Sequence, residues 1–279
     1  MSGPSGIGSH RFNVGWKARN FGRPISRLEA RLIPNPIRKV LSSMRAHRVR
    51  ALLMGGQACV FYGAAEFSRD TDLVILADSA NLSRLDRALA DLRAKRIAVP
   101  PFELKYLRRG HAIHFRCQHP EAFRMRVDVM SKLRGVEPFG KLWLRRTTVE
   151  LADKTPCDLI SLPDLVQAKK TQRDKDWPMI RRLVEANYFE NSGKPNLAQV
   201  RFWLLELRTP SLLIESAGRF VSQAKKLLPK RRLLAHAISA NAARLELALS
   251  REETAERKKD RIFWSPLRKE LEKLRHSKC

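Results

Sequence analysis

Asp70 and Asp72 stand two residues apart at the entry to the apolar run Leu73-Val74-Ile75-Leu76. On a strand, residues two apart project from the same face, so the two carboxylates would lie side by side. They repel, and a divalent cation relieves that repulsion. Hard carboxylate oxygens suit Mg²⁺, which keeps waters and substrate phosphates as its other ligands. Upstream, Leu52-Leu53-Met54 reads as a buried strand stopped by Gly55-Gly56, a tight turn from which a short helix over 57–62 can start. A third carboxylate, Asp128, lies between Val127 and Val129. A lone charge in such a strand is costly unless it is paired or metal-bound. Its alternative partners are the neighbouring Arg124 and Arg126. An Asp-x-Asp triplet alone says little, since Asp174-Lys175-Asp176 is another. The order carries the information: apolar strand, Gly-Gly, short helix, paired Asp, apolar strand.

Further along, Lys169 and Arg173 are four apart and would share a helix face. Pro178 disfavours helical geometry at Trp177, which puts Lys175 near a helix junction and makes Asp176 a candidate cap for a helix over 178–188. Cations on one face can grip a triphosphate and offset charge as pyrophosphate leaves. The plainer alternative is an exposed basic helix; the aspartate triad favours phosphate contacts. His111 and His114 have no Glu or Cys at metal-ligand spacing. Trp143, Trp177 and Trp203 each lie beside Leu, Met or Phe and read as core.

With these residues in place, the sequence resembles the nucleotidyltransferase superfamily that includes DNA polymerase β. Members carry a Gly-Gly or Gly-Ser turn, an Asp-x-Asp or Asp-x-Glu pair some ten to fifteen residues later, and a third Asp on an adjacent strand. The matching elements are Gly55-Gly56, Asp70 with Asp72, and Asp128. The closer resemblance is to bacterial minimal nucleotidyltransferases of the toxin/antitoxin and abortive-infection kind, through the stretch from Asp158 to Trp177 that contains Lys169, Arg173 and Lys175. It covers roughly residues 36–190. The chain departs from many members in having Gly56 and then Gln57 where a Ser follows the first Gly.

The resemblance implies transfer of a nucleoside monophosphate from an NTP such as ATP to an acceptor hydroxyl of RNA, protein or a small molecule. It implies two Mg²⁺ ions held by Asp70, Asp72 and Asp128, and an antitoxin as a partner. Gly55 and Gly56 would approach the phosphates. Lys169, Arg173 and Lys175 would contact them.

The elements that must position these residues divide the chain. Residues 1–35 are basic, Gly- and Ser-rich and without periodicity, which reads as a disordered arm. Ile37, Val40, Leu41 and Met44 mark a helix face ending near His47, and Leu82, Leu85, Leu89 and Leu92 another over 81–96. Residues 102–107 and 111–117 read as antiparallel strands joined at Arg109-Gly110, and 125–130 as a further strand. Strands and helices mix up to about residue 160, predicting an α+β core over 36–160 built on a mixed sheet with flanking helices. From Ser161 a cap, Pro163 and Asp164 open a helical region over 161–279, punctuated by Pro178, Pro195, Pro210, Pro229 and Pro266.

The chain of 279 residues has 55 Lys and Arg against 28 Asp and Glu, a net charge of +27. Residues 1–50 hold eleven bases and one acid; residues 219–279 hold seventeen bases and seven acids. Basic ends predict polyanionic company, RNA above all. They also support a second reading, a catalytically inactive nucleic-acid-binding protein on the same scaffold. Cys59, Cys117, Cys157 and Cys279 show no C-x-x-C spacing and read as reduced thiols. No secretory signal and no apolar run of ~20 residues is present, predicting a cytoplasmic protein without membrane contact.

Overall fold

The apolar runs build a sheet, and the sheet sets the spacing of everything else. The computed structural model describes residues 35–65, 68–151 and 154–276. Most of the basic arm over 1–35 therefore lies outside the described residues, as does Cys279. Seven strands, β1 (Ala51–Met54), β2 (Asp70–Ile75), β3 (Lys95–Arg96), β4 (Ile113–Arg116), β5 (Arg126–Met130), β6 (Thr147–Glu150) and β7 (Pro156–Leu159), form one mixed sheet in the order β3-β4-β5-β2-β1-β7-β6. β2 runs parallel to β5 and antiparallel to β1, and β1 runs parallel to β7. The central strands bury Leu52, Val74, Ile75, Val127, Val129 and Leu159 completely. Such continuous apolar runs suit strands covered on both faces.

Helices α1 (Asn35–Ala46), α2 (Gly55–Phe61), α3 (Ser79–Asp91), α4 (Leu104–Arg109) and α5 (Phe139–Leu144) are interleaved with the strands. The apolar stripe of α1, with Ile37, Val40, Leu41 and Met44, is buried, and the Ser43 hydroxyl ties α1 to α3 by donating to the Ala88 carbonyl at 3.1 Å. Asp78 caps α3 by accepting from the Asn81 N–H at 2.7 Å. After the last strand come α6 (Leu162–Ala168), α7 (Asp176–Asn191), α8 (Leu197–Glu206), α9 (Pro210–Arg219), α10 (Val221–Leu227), α11 (Leu234–Ile238) and α12 (Ala242–His276). The architecture is thus the expected α+β mixed sheet followed by helices. Ser161 caps α6 as its sequence predicts, with Pro163 in the first turn.

Several local expectations fail. Residues 104–109 form α4 rather than a strand, and only 113–116 join the sheet. The register explains it: β4 is already sandwiched between β3 and β5, and Gly110, at φ +114, ends α4 in a left-handed turn instead of joining two strands. The helix read over 81–96 ends at Asp91, because Lys95 and Arg96 pair with β4. Pro266 does not end a helix: α12 continues through it. Contacts on both sides of the proline hold α12 down. Buried Asp260 accepts from Arg134 Nε at 3.2 Å, the Gln172 N–H at 2.9 Å and Trp264 Nε1 at 3.0 Å. Beyond the proline, Glu270 pairs with Arg109 and with His111, the latter at 2.9 Å. Nearer the start of α12, buried Arg231 donates to Glu252 and to the Leu204 and Leu207 carbonyls at 2.9–3.1 Å.

Removing Asp260 takes from Arg134 one of its two carboxylate partners and leaves a backbone N–H and an indole N–H without their acceptor. Losing one partner of a buried pair costs ~3–5 kcal/mol. Asp260→Ala is expected to lower the urea midpoint by a corresponding amount, whereas Glu246→Ala on the exposed face of the same helix is expected to leave it within ~0.5 kcal/mol of wild type.

Candidate active site

The register of β2 against its neighbours places the predicted carboxylates. Asp72 lies opposite Asp128 of β5 and opposite Met54 of β1; Asp70 lies opposite Arg126. Paired residues on adjacent strands share a face, so Asp70, Asp72 and Asp128 project to the same side, as the two-residue spacing predicts. His114 of β4 is the register partner of Asp128 and joins the same face.

Gly55 follows β1 directly and explains why glycine stands there. A Cβ built on it would fall 1.8 Å from Asp72 Oδ2, and its φ is +67. Both the space and the backbone conformation exclude a side chain. The Gly56 N–H is hydrogen-bonded to the Asp72 carboxylate. The glycine turn, expected to face the phosphates, is thus engaged first with a carboxylate of the cluster.

Asp72 is the electrostatic centre. Burial, then Asp128, then Asp70 push its carboxyl up to about 6, against the pull of Lys169 and the Gly56 N–H. Asp128 is pulled the other way. Burial works to raise its pKa, but hydrogen bonds from His114 and Arg126 outweigh it and hold it below the ordinary range. His114 Nδ1 and Arg126 Nε each stand 2.8 Å from Asp128 Oδ1. The arginine partner weighed for Asp128 is therefore real, and it is Arg126.

Lys169 reaches the cluster, but not along a helix face. α6 ends at Ala168, Lys169 is its C-cap, and residues 170–175 form a loop. The i, i+4 relation to Arg173 therefore does not exist as a helix surface. Thr171 and Asp176 account for the break: Lys169 Nζ lies 3.2 Å from Asp176 Oδ1, and the Thr171 hydroxyl donates to Asp176 Oδ2 at 2.7 Å. Asp176 is thus no N-cap; it sits inside the first turn of α7, with Lys175 at the cap. Lys169 also hydrogen-bonds Cys59, whose thiol burial nevertheless pushes up to about 11, too high for a nucleophile at neutral pH. Arg173 Nε is 3.7 Å from Asp176 Oδ2 with an exposed side chain, and Lys175 is exposed. The structure thus gathers Gly55, Gly56, Asp70, Asp72, Asp128 and Lys169 and leaves Arg173 and Lys175 on the surface.

His114 and Arg126 are members of the site that residue spacing does not show. Only the alternation of β4 against β5 would have pointed to them. Trp177 and Trp203 are buried, as expected of core residues. Trp143 is only partly buried and carries the guanidiniums of Arg50 at 4.6 Å and Arg146 at 4.3 Å from its ring centroid.

The fit to a divalent cation turns on charge and donor chemistry. Asp72 titrates high first because it is buried and then because Asp128 and Asp70 stand beside it, and its oxygens and those of Asp70 are the hard donors that Mg²⁺ takes. On both counts the residues fit. Among the described residues no group of three or more His, Cys, Asp or Glu side chains is gathered closely enough to hold a metal ion as it stands, and Asp128 is turned to His114 and Arg126. The sequence matches no protein-family model and no curated protein.

The raised Asp72 pKa has a definite sign in stability. Between pH ~4 and 6 the folded chain holds a proton that the unfolded chain has lost, so the fold loses stability as pH rises across that window and carries the full penalty above 6. Asp72→Asn is expected to be more stable than wild type at pH 8 by ~2 kcal/mol, a few degrees in Tm, with the two converging below pH 4. Mg²⁺ at pH 8 is expected to raise the wild-type Tm and not that of the variant. A metal response undiminished in Asp72→Asn would remove this carboxylate from the cation site.

Proposed function

We propose that the chain is a metal-dependent nucleotidyltransferase that moves a nucleoside monophosphate from an NTP to an acceptor hydroxyl and releases pyrophosphate. The observation that carries the reading is the carboxylate cluster: Asp72 in register with Asp128, Asp70 on the same face, and an Asp72 carboxyl pushed up to about 6 by burial and its two neighbours. The resemblance in order and type of residues to the polymerase β superfamily supports it.

Asp70 and Asp72 would hold Mg²⁺, with Asp128 beside them. When bound, the metal lowers the acceptor hydroxyl's pKa and offsets charge on the attacking and leaving oxygens. Asp128 is held ionised by Arg126 and His114, so its carboxylate is available to orient the acceptor hydroxyl. Lys169 supplies positive charge to Asp72 and would meet the triphosphate as pyrophosphate leaves. Gly55 lets the β1–α2 turn pass against Asp72, and its missing side chain keeps the cluster open to substrate. The acceptor is RNA, protein or a small hydroxylated molecule, in a cytoplasmic setting that the free Cys59, Cys117 and Cys157 suit; an antitoxin is a candidate partner. Among the described residues no helix is long and apolar enough to cross a membrane.

A second reading, a nucleic-acid-binding protein without catalysis, is favoured by one observation. Asp128 is already satisfied by Arg126 and His114, as a purely structural carboxylate would be.

Incubating the protein with each labelled NTP, Mg²⁺ and total RNA or lysate separates the two. Label is expected in one acceptor fraction, and Asp70→Asn is expected to abolish it. Lys169→Ala is expected to raise the KM for NTP roughly ten- to a hundredfold, the loss of a charge-assisted contact. Tm is read alongside, since Asp176 loses one of its partners too. No labelled product with any NTP, together with metal-independent RNA binding, would favour the non-catalytic reading.

A further inference from the structure

A cavity of about 690 Å³ lies on the other side of the central strands, and its walls are cationic. Leu53 and Leu73 line it. They are the alternate residues of β1 and β2, so they face away from Asp70 and Asp72. Its volume falls within the roughly 300–1,000 Å³ of small-ligand sites. Arg45, Arg48, Arg50 and Arg84 line it, together with Trp143. One carboxylate is present, Asp158, and it is taken up by Arg146 Nε at 2.9 Å and by the Thr148 hydroxyl. None of the four lining arginines has a carboxylate partner among the described residues.

Arg50 is built into place. Its backbone N–H donates to Asn81 Oδ1 at 2.7 Å, and its carbonyl accepts from Asn81 Nδ2 at 3.0 Å. Asn81 is itself 1 % exposed and held by the Asp78 cap of α3. The Arg50 guanidinium lies over Trp143, yet its Nε is buried with no hydrogen-bond partner. A buried guanidinium N–H without an acceptor is unfavourable, and a ligand atom that accepts from it removes that cost. Excess positive charge, an orphaned donor and the apolar side chains of Leu53 and Leu73 therefore converge on one cavity.

We propose that this cavity is a second ligand site and that it binds a nucleotide. The phosphates meet Arg45, Arg48 and Arg84 at the rim. The base lies against Leu53 and Leu73 beside the Arg50–Trp143 stack. Guanidiniums recognise phosphate through paired donors and stack on planar rings, so both halves of a nucleotide are served. The site needs no metal and does not depend on the carboxylate cluster. Its ligand is a free nucleotide or the terminal nucleotide of an RNA strand, which share this chemistry.

The test is calorimetric titration of the full chain in EDTA with ATP, tripolyphosphate, adenosine and a 5′-phosphorylated RNA hexamer. ATP or the hexamer is expected to bind more tightly than tripolyphosphate or adenosine, and whichever of the two binds better identifies the source. R45Q/R84Q is expected to weaken that binding at least tenfold. Asp70→Asn is expected to leave it unchanged, which separates this site from the proposed catalytic one. Circular dichroism checks the fold of R45Q/R84Q; single R45Q, on an exposed helical side chain, is expected to fold as wild type and to show part of the loss. Binding that is unaffected in both arginine variants, that is lost in Asp70→Asn, or that is as tight for tripolyphosphate as for ATP would overturn the assignment.

Discussion

Three carboxylates on one face of two parallel strands form the interaction on which the rest of this molecule turns. Asp72 faces Asp128 across the β2–β5 pairing, and Asp70 flanks it. Like charges at that spacing in a half-buried place are unfavourable, and the surrounding structure is arranged around the problem. Gly55 carries no side chain where a Cβ would strike Asp72. The Gly56 N–H and Lys169 bring positive charge to it. Arg126 and His114 neutralise Asp128. Even so, Asp72 remains raised to about 6. Natural sequences tolerate such local conflict mainly where a site needs it.

The helical region contributes to this arrangement from outside the sheet. Asp176 holds Lys169 by a buried ion pair, so the first turn of α7 helps to fix a cation that acts on Asp72. α12 is pinned along its length by Asp260 and Glu270, to Arg134, Arg109 and His111 of the sheet half of the chain and to Gln172 of the loop between α6 and α7. The two halves of the sequence are thereby mechanically continuous.

Charge is distributed unequally over the two faces of the central strands. One face carries Asp70, Asp72 and Asp128; behind the other, Arg45, Arg48, Arg50 and Arg84 line a cavity. The strands between them are only one residue thick. Alternation of side chains along β1 and β2 is enough to keep an acidic site and a basic site apart.

Much of this was legible in residue order. The apolar runs at 52–54, 73–75 and 127–129, the Asp70–Asp72 spacing and the Ser161 cap depend on local rules of period and conformation and occur where those rules put them, whereas Gly55 and Gly56 open the helix expected only from residue 57. What escaped was decided by partners distant in sequence. The segment at 102–107 alternates enough to pass for a strand, yet both edges of β4 are already paired, and residues 104–109 fold as a helix. Lys169 and Arg173 have helical spacing, but Thr171 and Lys169 are drawn to Asp176 and the helix stops. His114 and Arg126 have no motif; they join Asp128 only through strand register. Sequence alone determines which residues can share a strand face, since that period is a property of the backbone. Which strands become neighbours, and hence which charges must face one another, is set by long-range pairing that only the folded sheet supplies.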